Sequence, residues 1–134
     1  MTSRKPRGGV AVLALLVAGI ACGVSASTAN VDDAFLARDR EGTERVEIFF
    51  PDETFYLIVD LANAPDGTEV RAVWIAIDAD DVEFDTTIDE ATLTTGSGRL
   101  TFDLTNDSLW PAGNYKVDLY LNGALERTLE FSVE

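Results

Sequence analysis

The chain has 134 residues, enough for one domain, with 24 Asp plus Glu against 10 Lys plus Arg, no histidine and one cysteine. That inventory excludes Ser-His-Asp triads, Cys-His pairs, zinc sites built on histidine and any internal disulfide. All 24 acidic residues lie beyond Cys22 with only 7 of the basic ones, a net of 7 − 24 = −17, which repels nucleic acid and anionic lipid headgroups.

In chain order, Arg4, Lys5 and Arg7 come first, followed by the uncharged run GVAVLALLVAGIA. A bilayer span takes roughly 18 or more apolar residues, so the run is too short to cross, and a basic flank before it is the layout of an export signal. The run closes on AGIAC, which resembles the lipobox of bacterial lipoproteins, with Ala21 before Cys22. That resemblance implies that Cys22 is lipidated and becomes the mature N-terminus. Cleavage after Ala26, behind VSA, stands as the alternative end of the signal. Residues 1–22 are therefore expected as signal peptide. Residues 23–44, small and polar and then charged, are expected as a flexible tether, with at most a helical turn near Ala34–Ala37.

Period-two patterning begins near Val46. In ETFYLIVDLA, Phe55, Leu57, Val59 and Leu61 share one face, and Tyr56, Ile58 and Asp60 the other. Pro65, Asp66 and Gly67 supply a turn. EVRAVWIAID is apolar on both faces, which predicts a central strand. Val82, Phe84 and Thr86 suggest a short strand, and RLTFDLT places Leu100, Phe102 and Leu104 together. YKVDLYLN turns Tyr115, Val117, Leu119 and Leu121 one way. Asn122-Gly123 is a type I′ hairpin signal, because both positions accept positive φ. The returning strand would place Leu125, Leu129, Phe131 and Val133 inward. Arg127 breaks that register, either snorkelling at the rim or marking a bulge.

About seven strands separated by turn chemistry predict an all-β antiparallel sandwich over residues 45–134. The pattern resembles the immunoglobulin-like superfamily. Trp74 on the second long strand, Gly113-Asn114-Tyr115 as a tyrosine corner, and the Asn122-Gly123 hairpin carry the match. The resemblance implies that Val59 and Val117 occupy the positions that often hold the inter-sheet disulfide. It also implies that Trp74 packs mid-core and that Trp110, Pro111 and Gly113 shape a corner latched by Tyr115.

Candidate sites are few. TTGSGR lacks the spacing of a nucleophile elbow and the Gly-Lys-Ser/Thr of a phosphate loop. Asp78, Asp80, Asp81 and Asp85 are candidate calcium ligands, although the spacing is not that of an EF-hand. Trp110, Tyr56 and Tyr120 are the candidate ligand-facing aromatics. The expectation is an exported, lipid-anchored, non-catalytic module for recognition, adhesion or assembly at a cell surface. Its partner would be a protein or glycan, with no nucleic acid and no required cofactor. The alternative is a calcium- or carbohydrate-binding accessory module.

Overall fold

The computed structural model describes residues 28–134. Cys22, Ala26 and the apolar run lie outside the described residues. Eight strands follow: β1 Asn30–Ala37, β2 Ile48–Phe49, β3 Phe55–Ala62, β4 Thr68–Ala79, β5 Thr86–Thr95, β6 Gly98–Leu104, β7 Gly113–Leu121 and β8 Ala124–Val133. They form two sheets, three strands in the order β1-β3-β6 and five in the order β2-β8-β7-β4-β5. Every pairing is antiparallel except the two-residue β2 beside β8. The all-β sandwich expected from periodicity is what forms.

One core lies between the sheets. Trp74, Tyr115, Phe49, Phe55, Val59 and Val117 are buried almost completely. Trp74 on β4 is paired in register with Val117 on β7, and Val59 faces them from the smaller sheet. Apolar contact thus replaces a covalent bridge at that level. Phe55 is the hub of the aromatic packing. Its ring lies 4.8 Å from Phe49, 4.8 Å from Phe131, 4.5 Å from Trp110, 5.8 Å from Tyr115 and 6.2 Å from Trp74. Such tilted and edge-on pairs contribute beyond the area they bury.

Four expectations change. Residues 30–37 are not tether but β1, because Val31, Phe35, Leu36 and Ala37 are buried. A register shift between Val31 and Asp33 interrupts the alternation there. The helical turn near Ala34 is absent for the same reason. Residues 80–85 are a turn rather than a strand, with Asp81 and Asp85 at positive φ of 60° and 57°, and β5 starts only at Thr86. Leu125 points outward. The β7–β8 register slips between Leu119 and Tyr120, pairing Leu119 with Arg127 and Tyr120 with Leu125. The slip sets Leu125 on the outer face of Tyr120 and swings Arg127 inward at the rim, where its Nη2 donates to the Val31 carbonyl at 2.9 Å. Both readings of Arg127, bulge and rim, hold together.

The small sheet has a second, outer cluster of Phe35, Ala37 and Ile58. The 38–45 loop covers it. Gly42, at φ +76°, lies so close that a Cβ there would meet Ile58 Cγ1 at 3.0 Å. This explains why β3 is apolar on both faces.

The corner before β7 is latched as expected: the Tyr115 hydroxyl donates to the Pro111 carbonyl. Gly113, at φ +151°, brings that corner against the end of β4, where a Cβ would stand 2.5 Å from Ala79 Cα. Gly113→Ala is therefore expected to cost roughly 2–4 kcal/mol in chemical denaturation. Burial pushes the Tyr115 phenol above its ordinary value of 10.0, and the Asp80 carboxylate adds to the rise. The stabilisation from the neutral phenol is complete below the unfolded value and is lost as pH rises through the raised folded value. Stability measured by denaturant against pH should fall above pH 10, and Tyr115→Phe should flatten that fall.

Candidate functional site

Strand direction sorts the loops to two ends. At the entry end lie Asn30, the turn at 63–67, the 96–97 link and the Asn122-Gly123 hairpin, whose φ values are 49° and 87°. Thr28 Oγ1 donates to the Asn63 carbonyl at 2.7 Å and Ala64 N–H to Ser97 Oγ at 2.8 Å, tying the chain entry to the turns beside it. The opposite end gathers the loops 50–54, 80–85 and 105–112.

That far end is built from mutual hydrogen bonds. Trp110 N–H donates to the Pro51 carbonyl at 2.8 Å, and Asp80 N–H to the Ala112 carbonyl at 3.0 Å. Trp110 Nε1 donates to the Glu53 carbonyl at 2.9 Å. The Glu53 carboxylate accepts from Phe50 N–H and from Arg38 Nε, both at 2.7 Å. The Arg38 guanidinium in turn sits 5.2 Å over the Phe50 ring. In the 80–85 turn, Asp85 N–H donates to the Ile77 carbonyl at 3.1 Å and Thr86 Oγ1 to the Glu83 carbonyl at 2.7 Å. Three loops from different parts of the chain therefore act as one platform.

The platform presents large apolar side chains to solvent: Phe50 at 55%, Phe84 at 74% and Leu109 at 66% exposure. Asp52, Asp80, Asp81, Glu83, Asp85 and Asp107 stand exposed on the same loops. Among the described residues none of these carboxylates has an arginine or lysine partner.

The residues singled out from sequence do not assemble. Trp110 is buried, its ring stacked on Phe55 and its N–H committed to Glu53, so it is a wall of the core and not a ligand-facing aromatic. Tyr56 lies half-buried on the outer face of the small sheet, 5.4 Å beneath the Arg40 guanidinium. Tyr120 lies on the outer face of the large sheet, 4.2 Å beneath Arg71. These two faces are opposed, so Tyr56 and Tyr120 share no common platform. Asp78, Asp80, Asp81 and Asp85 do not converge; among the described residues no three carboxylates group closely enough to hold a metal ion. Asp78 is exposed near the end of β4, and Asp80, Asp81 and Asp85 are exposed on the turn that follows. The signal that marks Phe50, Phe84 and Leu109 is an apolar residue set among acids beside turn chemistry, in FFPDE, VEFD and DSLWP. Strand periodicity instead draws Phe84 into a false strand.

Two other surfaces are less suited to a ligand. A groove of about 830 Å³ runs between β1 and β8, lined in part by Phe35, Leu36, Val46 and Ile48. Its cations are already committed, Arg38 to Glu53 and Glu44, and Arg45 to Asp33. The outer face of the small sheet carries Arg40 and Arg99, but Arg40 pairs with Asp103 and Arg99 forks onto Asp60 at 2.7 and 2.9 Å. Such exposed pairs contribute little each in water, but with the bond from Arg99 Nη1 to the Glu41 carbonyl they fasten the 38–45 loop.

Solved structures similar to this chain are of this fold. An immunoglobulin-like protein of Pseudomonas aeruginosa superposes with a TM-score of 0.54 at 9% identity, covering 81% of this chain and 98% of its own. The alkylpurine DNA glycosylase of Pseudomonas fluorescens gives 0.51 at 14% identity over 85% of this chain and 32% of its own. A β-glucosidase of Listeria innocua gives 0.51 at 15% identity over 79% of this chain and 16% of its own. No family model and no curated protein matches the sequence. At these identities the likeness is one of fold, and the fold is immunoglobulin-like.

The Arg99 fork has a measurable consequence. The hydrogen bond from Arg99 holds the Asp60 carboxyl below its ordinary value of 3.8, against the opposing effect of partial burial. Its contribution is complete above that unfolded value and disappears as pH falls through the lowered folded one. Carboxyl-carbon NMR should find Asp60 titrating below 3.8, and Arg99→Gln should return it to the ordinary range.

Proposed function

We propose that this chain is an exported, non-catalytic recognition or structural module, held at a membrane by lipid on Cys22 and working through the loop end of its sandwich. One observation carries the reading: the polarity of the domain. The chain enters β1 at Asn30, at one end of the sheets. At about 3.3 Å per residue the eight-residue β1 spans roughly 25 Å. The exposed apolar side chains Phe50, Phe84 and Leu109 all lie beyond its other end. An anchor preceding Thr28 would thus leave the loop platform as the part facing away from the membrane.

The chemistry of the chain agrees with a binding role. It has no histidine and a single cysteine in the segment proposed as signal. Function on such sandwiches resides in end loops set on a rigid frame.

Metabolic labelling with a palmitate analogue, followed by membrane fractionation, tests the anchoring. The wild type is expected to carry label and sediment with membranes, while Cys22→Ala does neither. A label-free, soluble chain whose N-terminus is Ser27 would replace this reading with cleavage after Ala26.

A further inference from the structure

We propose that β5 is a self-association edge: two copies of this chain pair their β5 strands antiparallel about a two-fold axis at Thr92, joining two five-stranded sheets into one. The inference goes beyond the recognition reading and is independent of lipid on Cys22.

The backbone sets the first condition. At the start of β4, Asn122 N–H donates to the Glu69 carbonyl at 2.8 Å and Glu69 N–H to Asn122 Oδ1 at 3.0 Å, so the main chain of Glu69 faces the β7 side. Along an antiparallel strand that direction alternates from one residue to the next. Val70, Ala72 and Trp74 therefore bond across to their register partners on β5, Leu93, Ala91 and Asp89. Glu90, Thr92 and Thr94 then turn their N–H and C=O groups away from β4. β5 is the last strand of its sheet, and among the described residues nothing pairs with its outer side.

The side chains set the second condition. A bare edge strand is normally guarded by lysine, by proline or by inward-pointing charge. TTIDEATLTT has no lysine, arginine or proline over its 10 residues. At the opposite side of the same sheet, β8 carries Arg127 and is covered by β2 at Ser132 and Val133. Leu93 and Ala91 lie opposite the buried Val70 and Ala72, hence on the core-side face, yet both are exposed, Leu93 at 41%. The smaller sheet has three strands to set against five and leaves these two uncovered.

Register decides the occupant. With the axis at Thr92, Thr92 meets Thr92 of the second copy, Glu90 meets Thr94 and Leu93 meets Ala91. Every outward main-chain group of those residues finds a partner, and each pair lies on one face of the joined sheet. Glu90, already held by Arg71 at 3.2 Å, faces a threonine, and so does Asp89 opposite Thr95. An axis at Glu90 would set Glu90 against itself, and one at Ala91 would set Leu93 against Asp89. An axis at Leu93 or Thr94 carries Glu90 past Thr95, the end of the strand. A foreign strand would have to reproduce the pattern that β5 supplies to itself. The chain beyond Cys22 carries 7 − 24 = −17, so copies repel at long range, with screening over roughly 8 Å at physiological salt. One strand pair also buries less than the roughly 1,200–2,000 Å² of a stable interface. The association is therefore weak and grows with salt.

Residues 28–134 hold all eight strands and both apolar clusters and contain no cysteine, so an introduced thiol is the only one. Sedimentation equilibrium is expected to show monomer and dimer, shifting to dimer with protein concentration and with salt. Directly opposed residues of a hydrogen-bonded antiparallel pair have Cα atoms about 5.5 Å apart, within disulfide reach. Under mild oxidation Thr92→Cys should therefore cross-link to a dimer. Glu90→Cys and Thr94→Cys should each stay monomeric alone and cross-link when mixed. Thr92→Pro removes an outward N–H at an edge and should weaken the dimer by about tenfold with the melting temperature held. If Thr92→Pro melts early, the cysteine variants decide alone. The proposal is overturned if the domain sediments as monomer at every concentration and salt, or if Glu90→Cys or Thr94→Cys alone cross-links as fast as Thr92→Cys. It is equally overturned if folded Thr92→Pro dimerises as tightly as wild type.

Discussion

The Phe55 ring is the point on which the two sheets close. It is fully buried on β3, the middle strand of the smaller sheet, and it touches rings from β2, β4, β7 and β8 of the larger one. It also touches Trp110, which belongs to no strand. Sheet-to-sheet packing and loop placement thus depend on one side chain. Removing it would open a cavity between the layers and unseat the loop that carries Leu109, so stability and loop placement are linked through the same contact.

Around that hub the chain spends its polar groups on fixing corners. The Tyr115 hydroxyl holds the Pro111 carbonyl, and the indole N–H of Trp110 holds the Glu53 carbonyl. Glu53 in turn holds Phe50 N–H and Arg38. Two of these links are local, whereas those from Trp110 and Arg38 to Glu53 join residues 57 and 15 positions apart and tie the loop end to the core. The exposed Phe50, Phe84 and Leu109 are consequently presented by a rigid frame.

Charge follows a second division of labour. The arginines near the small sheet neutralise local carboxylates and fasten the 38–45 loop over Phe35 and Ile58, with Arg45 lying 3.7 Å above the Phe35 ring. At the loop end Glu53 is paired with Arg38, whereas among the described residues Asp52, Asp80, Asp81, Glu83, Asp85 and Asp107 have no arginine or lysine partner.

Alternation and turn chemistry alone determined the all-β sandwich, the inward faces of β3, β6 and β7, the central place of β4, the Tyr115 corner and the Asn122-Gly123 turn, because each is set by local periodicity or by a backbone need for positive φ. Other features were decided by contacts across the fold. β1 is hidden in sequence because a bulge at Asp32 and Asp33 spoils its period, and only the sheet it joins makes it a strand. Trp110 reads as an exposed aromatic until Phe55 and Glu53 claim its ring and its N–H. Leu125 changes face through the slip opposite Leu119 and Tyr120, which no single-strand pattern contains. Phe50, Phe84 and Leu109 are separate hydrophobic letters in separate loops, and only the direction of the paired strands, with the hydrogen bonds of Trp110 and Asp80, places those loops at one end.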